Sequence, residues 1–92
     1  MSRLHSAATR GDLSTLKRLV DEGEAVDCED EEGRTPLHYA AMYGQADAAK
    51  CLIGAGASVN PRDHRGRTPL RCASRAGQTE VWTVILRVGG TD

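Results

Sequence analysis

Thr35-Pro36-Leu37-His38-Tyr39-Ala40 decides the reading of this chain, because its first four residues return as Thr68-Pro69-Leu70-Arg71, 33 positions later. The same step backwards lands on Ser2-Arg3-Leu4-His5, a degraded copy. The register extends well beyond the tetrapeptide. Leu4, Leu37 and Leu70 superpose, as do Ala7, Ala40 and Ala73, then Gly11, Gly44 and Gly77, then Leu19, Leu52 and Ile85. Gly23, Gly56 and Gly89 follow, with Val26 and Val59, Asp30 and Asp63, and Gly33 and Gly66. Self-similarity at a fixed spacing of roughly 20 to 50 residues marks an array in which one supersecondary unit stacks on the next.

Each position in the repeat has a physical reason. Thr35 suits a helix N-cap, where its hydroxyl accepts from an orphan amide. Pro36 suits the first helical position, since its missing N–H costs nothing there and its φ is already helical. Leu37, Ala40 and Ala41 then fall on one helical face. Gly44 ends this first helix and Gly56 the second, which the pattern places at about Asp47 to Ala55 with Ala48, Ala49, Leu52 and Ile53 inward. The same grammar predicts helices near 3–10, 13–21, 69–76 and 79–87, and a first loop near 24–34. Ser58 to Arg67 is too polar for a helix and contains Pro61 and Gly66, so it reads as a loop or extended hairpin.

On these residues the chain resembles the ankyrin repeat family over its whole length. The family's Thr-Pro-Leu-His-x-Ala pattern is met by Thr35 to Ala40, followed by Gly44 and by Gly56-Ala57-Ser58-Val59-Asn60. The third copy departs from it with Arg71 in place of histidine, and the first has Ser2 and Arg3 where threonine and proline stand. The resemblance implies an all-α fold, a solenoid of helix-turn-helix units joined by extended hairpin-like loops. It implies one domain over residues 1–92, with units of about 2–34, 35–67 and a truncated 68–92. It also implies that His5 and His38 hydrogen-bond within their turns and tie neighbouring units together. The function implied is a non-enzymatic protein–protein interaction module or adaptor. The alternative is a structural spacer, or an excerpt of a longer array with no binding role of its own.

In this family the partner lies on a concave face made of hairpin tips and the exposed side of the first helices. Carried onto matching positions, that face comprises Thr9 and Arg10, then Glu31, Glu32, Arg34, Met42 and Tyr43, then His64, Arg65, Arg67, Arg75 and Ala76. His64 lies mid-loop, where ligand contact and plain solvation are both open readings. The family also implies a site for an intracellular asparagine hydroxylase at Asn60, with Leu52 eight residues upstream and Val59 just before it. Ser58 replaces the acidic residue usual there, Asp27 holds the equivalent place in the first copy, and a plain loop-capping role is the competing reading.

Composition is consistent with such thin layers. Charged residues are 27%, hydrophobic ones 39% and aromatics only 3%, with no phenylalanine, so the core must be built from Leu, Ile, Val and Ala. The N-terminus Met1-Ser2-Arg3-Leu4-His5 has no apolar segment behind it, and Cys51 to Val59 is far shorter than the roughly 20 residues a membrane span needs. Cys28, Cys51 and Cys72 stand at unrelated repeat positions without CxxC spacing, and read as free thiols in a reducing, intracellular compartment, cytoplasmic or nuclear. No metal, cofactor or membrane partner is expected. No phosphate-cradling glycine loop, zinc-binding helix or nucleophile elbow is present, so an enzyme is not expected either.

Charge placement says more than the net charge of −1. Asp21 to Glu32 holds eight acidic residues and no basic one. Residues 1–33 carry four basic against nine acidic groups, or −5, while 34–66 and 67–92 each carry four against two, or +2. Arg62, Arg65, Arg67, Arg71 and Arg75 concentrate the positive end. Solvated loops of complementary sign are one reading; a dipolar surface that steers a partner is the other. Nucleic acid is not expected, because the arginines lack an aromatic platform and the acidic finger would repel a phosphate backbone. Tyr39 and Tyr43, four residues apart, read respectively as packing between units and as an exposed contact. At the far end, Glu80 to Val88 is apolar where an array end is normally polar. Trp82, Val84 and Val88 are therefore expected in an exposed patch through which the chain self-associates or meets a further repeat.

Overall fold

The computed structural model describes residues 2–92. It contains six helices in chain order: α1 (Arg3–Arg10), α2 (Leu13–Asp21), α3 (Pro36–Met42), α4 (Ala46–Gly54), α5 (Pro69–Ala76) and α6 (Thr79–Arg87). Four of these have the bounds anticipated from the repeat. Helix α4 starts and stops one residue earlier than anticipated, with Ala55 as its C-cap at φ −86°. Among the described residues no strand is present.

Helices of seven to nine residues are too short to be stable alone in water, so their stability must come from stacking. Helices α1, α3 and α5 pack side by side in one layer, and α2, α4 and α6 in a second. The repeated positions point between the layers. Leu4, Leu37, Leu19, Leu52 and Ile85 are fully buried, as are Ala7, Ala40 and Ala73. The alanines matter because first helices approach closely only where side chains are small.

Between successive helix pairs the chain projects a finger. Asp30 and Asp63 build the two fingertips identically. Asp30 Oδ1 accepts from the amides of Glu32 and Arg34 at 2.9 Å each. Asp63 Oδ1 accepts from those of Arg65 and Arg67 at 2.9 and 2.8 Å. The fingers are then joined by a bond from the His64 amide to the Glu32 carbonyl, 2.9 Å long.

The histidines span longer distances. Ser2 and Thr35 donate their amides to Nδ1 of His5 and His38, at 3.3 and 3.0 Å. With Nδ1 accepting, the ring proton sits on Nε2. It donates to the carbonyl of Arg34 in the first case (2.7 Å) and of Arg67 in the second (2.8 Å). The Thr35 hydroxyl lies 3.0 Å from the His38 ring, whereas Thr68 caps α5 through the Arg71 amide at 3.2 Å. Arg71 has no ring to continue the series.

A second ladder runs along the short turns. Gln45 donates its side-chain amide to the Thr9 carbonyl at 3.0 Å, and Gln78 to that of Met42 at 3.3 Å. Both glutamines lie over glycines with positive φ, Gly11 and Gly44, where a Cβ would stand 2.4 Å from the glutamine oxygen.

Candidate binding face

The two fingertips have opposite sign at matched positions: Glu29 and Glu32 on the first correspond to Arg62 and Arg65 on the second, while Glu31 corresponds to His64. The Asp63 turn fixes the backbone of Arg65 and Arg67, and the His38 bond holds Arg67 from the other side. Burial favours the neutral form of His38, and although the Arg67 carbonyl works against it, the ring's pKa falls below its ordinary value. Burial also raises the Asp63 pKa, but the amides of Arg67 and Arg65 more than offset this and keep it a carboxylate.

Three clefts line the face. Glu31, Glu32, Arg34, His64 and Arg65, with Asp63, form one between the fingertips. Met42, Tyr43, Arg67, Arg75 and Ala76, with Cys72, form a second beside α5. The third is basic. Arg62, Arg65, Arg67, Arg71 and Arg75 enclose about 410 Å³ with Gly66 and Asp92, sharing Arg65 with the first cleft and Arg67 and Arg75 with the second. Thr9 and Arg10 belong to none of the three. The Thr9 hydroxyl is turned back to the His5 carbonyl at 2.9 Å, and Arg10 faces Asp12 at 3.9 Å.

Arg34 requires a correction. The family resemblance puts it on the contact surface, yet its side chain is only 15% exposed and acts as an internal brace between fingers. Its Nε lies 3.6 Å from Asp63 Oδ2, its Nη1 3.4 Å from Glu32, and its guanidinium 5.8 Å over the Tyr39 ring. Tyr39 is buried between units, its hydroxyl donating to Asp30 and its ring standing edge-on to His5 at 5.5 Å. Tyr43 is 54% exposed. The face carried over from the family omits Arg62 and Arg71, which line the basic cleft; the density of arginine in this stretch is the sequence signal for that cleft.

His38, Asp63 and Cys72 bring their ligating atoms within 4.8 Å of one another, all buried. The chemistry of this trio is not that of a metal centre. Both His38 nitrogens are committed, and the Arg34 guanidinium already supplies the positive charge beside Asp63. Cys72 stands where Tyr39 stands in the preceding unit, so Asp63 Oδ2 lacks the hydroxyl that Asp30 receives. Burial, then the Asp63 charge, raises the Cys72 thiol pKa, leaving an unreactive thiol.

Asn60 is exposed and bridges the C-terminal strap. It donates to the Gly89 carbonyl at 3.1 Å and accepts from the Thr91 amide at 2.8 Å. Asp27 caps Ser58 in the same way one unit earlier, its Oδ1 3.0 Å from the Ser58 amide. At the C-terminal end Val88 is 46% exposed and is joined by Leu86 at 44%. Trp82 and Val84 are partly buried against the core.

Among the described residues no helix is long and apolar enough to cross a membrane. The family profile "Ankyrin repeats (3 copies)" matches residues 4–92. Inversin of Danio rerio is 50% identical over 36 residues, which is 39% of this chain and 4% of inversin. The crystal structure of the human ASB11 ankyrin repeat domain superposes with a TM-score of 0.93 at 35% identity, covering 99% of this chain and 41% of that one. The chain therefore spans less than half the length of either protein. With the repeat period, the paired helix layers and the histidine rungs in agreement, the chain belongs to the ankyrin repeat family.

Proposed function

We propose that the chain is a single, non-enzymatic protein-binding module, at work in the cytoplasm or nucleus, whose partner lies along the fingertips and the exposed side of α3 and α5. Ankyrin repeats are in general protein–protein interaction modules. The observation that carries the reading here is convergence. With Arg34 set aside as a brace, nine of the twelve residues assigned to the face from sequence line two clefts, and the basic cleft links those clefts. Exposed Tyr43 and the arginines, with half-buried Met42 beside them, are of the types enriched where interfaces form. The polar groups of the interior support a non-catalytic role, because His38, Asp30 and Asp63 serve as structural ties.

The test is proximity labelling or affinity capture from cell extract, quantified for wild type and variants. Met42→Ala with Tyr43→Ala should lower recovery of the specific partners several-fold. Lys50→Glu, on the exposed side of α4, should leave it unchanged. Equal recovery from all three proteins would favour a spacer.

Self-association through the C-terminal end is a second proposal, supported by the exposed Leu86 and Val88 beside Trp82. Sedimentation should show a concentration-dependent dimer that Leu86→Lys with Val88→Lys abolishes. A monomer at every concentration would remove the idea.

A further inference from the structure

We propose that this face reads a short, polarised peptide, with acidic side chains in the five-arginine cleft and an apolar side chain against Met42 and Tyr43. The inference rests on the binding-module reading above and names the chemistry of the partner.

The five arginines line one cleft and share it with a single acidic residue, Asp92. Arg62, Arg65 and Arg67 come from the second finger, and Arg71 and Arg75 stand one turn apart on α5, facing the same side. Among the described residues none of the five is within ion-pair distance of a carboxylate, as is also true of Lys17, Arg18, Lys50 and Arg87; what sets the five apart is that they gather around one cleft. Asp92 borders the cleft and still stands beyond that distance. Like charges gathered without a counter-charge cost stability, and an incoming anion relieves that cost. The bases of the side chains are held in advance. The Arg65 and Arg67 amides are bound by Asp63, the Arg67 carbonyl by His38, and the Arg62 guanidinium by the Gly66 carbonyl at 3.3 Å. Guanidinium groups pair bidentately with carboxylates, so such a site gains in geometry as well as in charge.

The surroundings decide which anion fits. Arg67 and Arg75 also wall the cleft of Met42, Tyr43 and Ala76, so a ligand seated on them meets apolar surface one step away. Beyond Arg65 the face turns acidic at Glu31 and Glu32. A uniform polyanion such as a nucleic acid strand would be repelled there within one finger's width. A peptide that carries its acids at one end and an apolar group next to them meets favourable contacts throughout.

Fluorescence anisotropy on the full chain tests this with short labelled peptides. One has a Glu-rich half followed by a leucine, one the same acids with glycine for leucine, and one lysine for each glutamate. Single-stranded oligouridylate and inorganic phosphate serve as competitors. The first peptide is expected to bind best, about tenfold or more above the lysine version, with affinity falling as salt rises. Arg65→Gln, Arg67→Gln and Arg75→Gln together should cost about tenfold or more. Tyr43→Ala should erase the advantage of leucine over glycine while leaving the salt dependence. Circular dichroism on each variant checks that it is folded. Equal or tighter binding of oligouridylate, equal binding of the glycine peptide, or no peptide binding at all would overturn the proposal. If the cellular partners depend on Met42 and Tyr43 but not on the arginines, the module reading stands and this inference falls.

Discussion

His38→Ala is expected to lower the free energy of unfolding by about 3 kcal/mol, read as a lower urea midpoint at unchanged m-value. The ring is fully buried, accepts from the Thr35 amide and donates to the Arg67 carbonyl 29 residues away. Alanine leaves both backbone groups without a partner, and each buried, unsatisfied group costs about 1–3 kcal/mol. A domain of this size has only about 5–15 kcal/mol in total, so the variant folds but with much of its margin gone.

The same substitution should flatten the pH profile. His38 has its folded pKa below the unfolded value of 6.5, chiefly through burial. The unfolded chain therefore binds the proton first as pH drops. The contribution of His38 to stability is complete above pH 6.5 and is lost as pH falls from there through the folded value. Wild type should lose stability over that window and His38→Ala should not. Below about 3.8 both proteins should weaken further, because Asp30 and Asp63 are carboxylates held below that value in the fold. A wild-type profile flat between pH 7.5 and 5 would contradict the assignment. Releasing Arg67 also loosens the second finger, so peptide binding should weaken with the same variant.

Gly44→Ala is expected to cost about 2 kcal/mol, against about 1 for Gly77→Ala. The two glycines share φ of +70°, so the backbone strain of adding a Cβ is common to both. They differ in what lies above them. A Cβ on Gly44 would stand 2.4 Å from Gln78 Oε1, whereas one on Gly77 meets nothing within 4 Å. Gln78 moves aside readily, but the Met42 carbonyl then loses its donor. The excess cost at Gly44 is therefore a measure of the unit-to-unit ladder. In a Gln78→Ala background the two costs should converge, as a double-mutant cycle would show. Equal costs in the wild-type background would mean that the ladder contributes nothing.

The helices and their ends were legible because they depend on neighbours close in sequence. Pro36 and Pro69 start helices, Gly11 and Gly77 end them in the left-handed region, and the apolar spacing fills one face. Repetition every 33 residues then multiplied weak local signals into a single fold. Tyr39 and Tyr43 were also separable, since one falls on the buried side of α3 and the other at its exposed end. What the residues could not disclose singly was how one finger meets the next. Arg34 looks like any fingertip arginine until Asp63, 29 positions on, buries it beside Tyr39. Arg62 and Arg71 belong to the positive end already in the sequence, but only the fold sets both around one cleft. The local chain specifies the rungs through capping, turn geometry and periodicity. Only stacking determines which charges are neutralised within the molecule and which stay unpaired at its surface.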